Sequence, residues 1–126
     1  MNRMREEINR AALAPASVHA DGGEQCYRFA ESFLGFAGHF PGYPILPAIL
    51  QTLLAQLVAE QVIGAPLQFS ALQRAKFSRQ LRPDEKIDVQ VKCQEKDGQW
   101  YCAAELKVAD EDAASFILVL SRGVAA

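Results

Sequence analysis

The residue best suited to chemistry is His39, which lies in Gly38-His39-Phe40-Pro41-Gly42-Tyr43-Pro44-Ile45-Leu46-Pro47. An imidazole titrates near neutral pH, so it can take up or release a proton under working conditions. The glycines and prolines around it dictate an irregular path rather than a helix or strand. The ring is therefore held on an unusual backbone path, where a titratable imidazole is more often chemistry than decoration. The competing reading is a loop histidine tied to backbone carbonyls. Phe40, Gly42 and Tyr43 share the loop and are expected to border whatever His39 acts on; for Tyr43, packing within the loop is an equal alternative. The second histidine, His19, reads as a surface strand residue. Cys26, Cys93 and Cys102 form no C-x-x-C pair, so no zinc site is expected, and an odd number of thiols fits a reducing compartment.

The elements that must position this loop follow from periodicity. Residues 1–13 predict a short helix with Met4, Ile8 and Leu13 toward one side, stopped by Ala14-Pro15. Ser17 to Ala20 and Gln25 to Phe33 read as two strands around an Asp21-Gly22-Gly23 turn. Leu34 to Pro47 is too rich in Gly and Pro for regular structure. Ala48 to Ile63 is the best helix in the chain, with Pro47 at its start and Gly64 as its stop. Leu50, Leu53, Leu54, Leu57, Val58 and Ile63 recur at helical spacing, and few early positions are strongly polar, which predicts a largely buried helix. Period-2 alternation on both sides of Asp97-Gly98 predicts a hairpin that sets Cys93 opposite Cys102. Opposed Cβ atoms lie about 4.5–5.5 Å apart, whereas a disulfide wants about 3.8 Å, so two buried free thiols are expected there. Ala114 to Leu120 is apolar on both faces and should be a central strand.

At 126 residues the chain suggests one domain spanning residues 1–126. Half of its residues are hydrophobic and its net charge is −2, values that favour an ordinary globular protein over a nucleic-acid or anionic-membrane partner. No apolar run approaches a membrane span, and residues 11–14 are too short and weakly apolar for a signal-peptide core, so a cytoplasmic location is expected. No Gly-rich phosphate loop of the usual spacing appears, so neither a nucleotide nor a metal cofactor is expected.

The order of elements, with Gly38-His39-Phe40-Pro41-Gly42-Tyr43-Pro44 at the loop, resembles the hot-dog fold, an α+β architecture in which an antiparallel sheet wraps a long central helix. More narrowly, it resembles the 3-hydroxyacyl-acyl-carrier-protein dehydratases of fatty acid and polyketide synthesis. Residues 75–85 also look like that family's strand and turn after the helix. The resemblance implies a dimer with an active site at the subunit interface. It implies that His39 is the base for the C2 proton of a 3-hydroxyacyl thioester, and that the N–H of Ala48 points at the thioester carbonyl. The family usually has Gly at the Ala48 position. The acid that handles the departing water would come from the partner's helix, at the position occupied here by Leu53.

Leucine can neither donate nor accept a proton. Gln56 and Glu60 share the Leu53 face of the helix, at three and seven residues' distance. Glu60 is about 10 Å away along the axis, and Gln56 could orient a water but is a poor acid. Gln51 points away from the Leu53 face. Three readings follow: a dehydratase with an altered mechanism; a lapsed homologue that binds acyl thioesters or completes a heterodimer with an active one; and a hot-dog thioesterase. Arg74, Lys76, Arg79 and Arg82 make a basic cluster, either a solvated strand face or a dock for an acidic acyl carrier protein that would weaken with salt.

Overall fold

The computed structural model describes residues 3–36 and 44–122. Its elements are helix α1 (Arg3–Arg10), strands β1 (Ser17–His19) and β2 (Gly22–Arg28), a 3₁₀ turn (Leu34–Phe36), helix α2 (Ala48–Ile63), and strands β3 (Leu67–Phe77), β4 (Lys86–Lys96), β5 (Gln99–Val108) and β6 (Glu111–Arg122). The strands form one antiparallel sheet in the order β1-β2-β4-β5-β6-β3, and α2 packs chiefly on β4 and β2. This is the hot-dog architecture that the sequence suggested.

Helix α2 begins and ends at the expected residues. Pro47 occupies the N-cap in extended conformation without a side-chain cap bond, and Gly64 closes the helix at φ 78°, donating its N–H to the Glu60 carbonyl at 2.8 Å. Ala55 and Ala59 are fully buried one turn apart; their small side chains let the helix lie close to the sheet. The β4–β5 hairpin keeps its predicted register. Lys96 pairs with Gln99 across Asp97-Gly98, both at positive φ, and Cys93 faces Cys102 as a pair of free thiols. As expected, β6 is interior to the sheet, between β5 and β3.

Three local expectations are corrected. Helix α1 stops at Arg10 because Ala11 to Leu13 run alongside β2: Leu13 N–H donates to Cys26 O and Arg28 N–H to Ala11 O. Leu13 is consequently exposed rather than aligned with buried Ile8. The first turn is Ala20-Asp21, not Asp21-Gly22-Gly23, since His19 pairs with Gly22. The two glycines serve close approach instead. A Cβ on Gly22 would stand 2.8 Å from the Val91 carbonyl oxygen, and one on Gly23 would stand 2.8 Å from Val62 Cγ2. Finally, β2 ends at Arg28 rather than Phe33. Arg28 pairs with Lys86, the first residue of β4, so no strand remains beyond it to pair with. Phe29, Phe33 and Phe36 fold inward and pack ring on ring, with centroids 4.3 and 5.6 Å apart.

Candidate active site at the start of α2

The loop that carries His39, Phe40, Gly42 and Tyr43 lies outside the described residues. The description resumes at Pro44 and leads straight into α2. Its path there is pinned where Leu46 N–H donates to the carbonyl of buried Leu81 at 2.8 Å. Pro47 then opens the helix, and its carbonyl accepts from Leu50 and Gln51 N–H at 3.0 and 3.1 Å. Ala48 and Ile49 precede that first bond, in the set of N–H groups that a helix start leaves without intrahelical partners. Together with the helix dipole, these donors favour negative charge on an oxygen that approaches the helix start along its axis.

A cavity of about 340 Å³ opens at this point, lined by Pro47, Ala48, Gln51, Phe77, Arg79 and their neighbours. It joins the start of α2 to the end of β3. Arg79 forms its charged wall and is held in place rather than free: it bonds Glu85 at 2.7 and 3.0 Å, Glu111 at 3.0 Å and the Gln80 carbonyl at 2.9 Å. The bond from Arg79, reinforced by Arg82 N–H at 2.8 Å, keeps the Glu85 carboxyl below the usual carboxylate range against the opposing effect of burial. The charge of Arg79 is thus already answered within the chain, which separates it from the expected docking cluster. Arg74 and Lys76 lie exposed on β3, Arg74 at φ 52° where the strand bulges, and Arg82 is exposed beyond the strand.

Within one protomer, Leu53 and Gln56 lie away from the cavity at Ala48. Leu53 is half-buried against the core and lies outside the cavity lining. Gln56 is buried farther along the helix, where its amide donates to the Leu67 carbonyl at 2.9 Å and to Glu60 at 3.4 Å. Glu60 also accepts from Arg5 at 2.7 Å and from Leu67 N–H at 3.1 Å. Gln56 and Glu60 therefore tie α1, α2 and β3 together, with the Gln56 amide nitrogen committed to that contact. Gln51, which points away from the Leu53 face, was not among the expected site residues. It is only 4% exposed and lines the cavity. Its spacing of three from Ala48 was the available signal, because residues three apart share a helix face.

A larger cleft of about 540 Å³ lies over the solvent face of the strands, lined by His19, Arg74, Lys92 and Glu105 among others. None of its lining residues belongs to α2, and His19 is an exposed strand residue as expected. Among the described residues there is no cluster of three metal-ligating side chains, and no helix is long and apolar enough to cross a membrane.

The family model described as ApeI dehydratase, of the ApeI-like family, matches residues 19–116. A 3-hydroxyacyl-acyl-carrier-protein dehydratase FabZ from Pelotomaculum thermopropionicum is 36% identical over 66 residues, 47% of this chain and 47% of that protein. The matched stretch thus spans about half of that relative's length. The FabZ of Thermotoga petrophila is 37% identical over 91 residues, 68% of this chain and 66% of that one. Among solved structures, the dehydratase heterocomplex ApeI:P from Xenorhabdus doucetiae superimposes with a TM-score of 0.69 at 22% identity, covering 82% of this chain and 90% of that one.

Proposed function

This chain belongs to the ApeI-like dehydratase family, and from that premise we propose that it acts on acyl-carrier-protein thioesters, removing water from a 3-hydroxyacyl thioester within a dimer. The observation that carries the reading is the uncapped start of α2, opening at Ala48 into a cavity directly downstream of the histidine loop. In this scheme the thioester carbonyl rests against the Ala48 N–H. His39 removes the C2 proton, and the developing negative charge on the carbonyl oxygen is held at the helix start. The C2–C3 double bond forms as the C3–oxygen bond breaks, and the departing hydroxyl takes a proton to leave as water. With Leu53 at the family's acid position, that proton returns from the imidazolium of His39 or comes from a protonated Asp or Glu side chain of a homologous partner.

Leu53 favours a second reading, in which the chain is the non-acid half of a heterodimer or a thioester-binding homologue. Dehydration of a 3-hydroxyacyl carrier protein, followed by mass spectrometry, separates the two. An active wild type that loses turnover with His39→Ala supports the enzyme. An inactive wild type that gains turnover with Leu53→Glu supports the lapsed catalyst. Release of free carrier thiol would move the chain to the thioesterases.

The free edge of β3 supports the dimer. Phe69, Leu72 and Phe77 are exposed along it, and Ile49 is 76% exposed at the head of α2. Among the described residues β3 pairs only with β6, and an apolar strand at a sheet edge invites pairing with another strand. A carrier-protein dock falls on Arg74 and Lys76, near Arg82. Lys76→Glu with Arg74→Glu should weaken carrier binding, and the wild-type affinity should fall as salt rises; unchanged affinity in the double variant removes the dock from this strand. A cytoplasmic setting suits the three free thiols.

A further inference from the structure

We propose that the side-chain oxygen of Gln51 accepts a hydrogen bond from the 3-hydroxyl group of a 3-hydroxyacyl thioester bound at the start of α2. This rests on the thioester reading above and adds to it the residue that recognises the hydroxyl.

Gln51 is 4% exposed, and its amide is fixed at one end only. Nε2 donates to the Leu46 carbonyl at 3.0 Å, whereas Oε1 is buried without a partner. It is the buried side-chain polar atom among the described residues that stands unpaired. A buried acceptor in that state carries a desolvation penalty that the right ligand removes. The bond to Leu46 also fixes which end of the amide faces onward, since the reverse orientation would set two carbonyl oxygens against each other.

The chemistry of the cavity narrows the ligand. Oε1 can only accept, so the ligand must donate. Arg79 on the same wall is already matched by Glu85 and Glu111 and leaves no charge for the ligand to answer, so a neutral O–H or N–H suits the site. Gln51 follows Ala48 by three residues on one helix face, about 4.5 Å along the axis. Helical side chains lean toward the N-terminus, which brings the amide back over the turn that Ala48 begins. A thioester whose carbonyl meets Ala48 N–H therefore carries its C3 substituent toward Gln51. A saturated or 2-enoyl thioester has no hydroxyl to offer there.

Calorimetric titration of the full chain with N-acetylcysteamine thioesters of 3-hydroxyhexanoic and hexanoic acid tests this. The two probes share every other donor. The wild type should bind the hydroxy ester on the order of tenfold more tightly. Gln51→Met, similar in volume but without the acceptor, should bind both esters equally at the hexanoyl affinity. Gln51→Asn, which draws the oxygen back by one methylene, should lose most of the preference and serves if the methionine variant does not fold. Equal binding of both esters by the wild type overturns the role of Gln51 and leaves the thioester site standing. A preference that survives in Gln51→Met also overturns it, by placing the hydroxyl elsewhere. Binding of neither ester overturns the thioester site and this inference with it.

Discussion

At the scale of single residues, Glu60 and Glu85 use charge to hold elements in place. Glu60 accepts from Arg5, Gln56 and Leu67 N–H while its side chain is only 14% exposed. Glu60→Gln should cost about 1–3 kcal/mol in urea denaturation. Thioester affinity should not change, because Ala48 lies about 18 Å back along the helix axis; a parallel loss of binding would link the two sites. Glu85 makes a pH-dependent contribution. Its folded pKa is held below the unfolded value of about 4.3, first by the hydrogen bond from Arg79. The stabilisation is therefore complete above that value and is lost as pH falls through the folded pKa. Denaturation midpoints measured from pH 6 downward should show a shallower acid limb in Glu85→Gln than in wild type, and identical limbs would remove Glu85 from the acid response.

At the scale of elements, the two glycines of β2 are the sharpest test of packing. Gly22→Ala drives a Cβ to 2.8 Å from a backbone oxygen of β4 that cannot swing aside. It should lower stability by about 1–3 kcal/mol, read as a shift in the urea midpoint; a neutral result would show that β2 can slide. These glycines also mark what the sequence could and could not disclose. Helix α2 and the Asp97-Gly98 hairpin were legible because their signals are local: a helical period between Pro47 and Gly64, and strict alternation around two turn formers. The ends of α1 and β2 were not, because they depend on partners distant in sequence, Cys26 for Leu13 and Lys86 for Arg28. Asp21-Gly22-Gly23 looked like a turn because glycine serves both tight turns and close approach, and only the position of β4 decides between them. In the candidate site, the placement of Ala48 at the helix head was legible. Gln51 was judged against Leu53 rather than Ala48 and so was set aside, and the commitment of Gln56 to Leu67 depends on how β3 leaves the helix.

At the scale of the whole molecule, β3 is the long edge strand among the described residues. It is the last strand of the sheet, it bulges twice, and Phe69 is 53% exposed on it. Phe69→Lys with Leu72→Lys should leave the fold intact by circular dichroism while converting a dimer to a monomer in sedimentation; a dimer that persists would move the interface elsewhere. The same strand ends in Phe77, which lines the cavity at Ala48. In the proposed dimer, assembly and candidate site would be two uses of one ribbon of backbone. Specific activity should then depend on enzyme concentration, with each protomer turning over more slowly as the solution is diluted through the dissociation constant of the pair, and thioester ligands should in turn draw free protomers together.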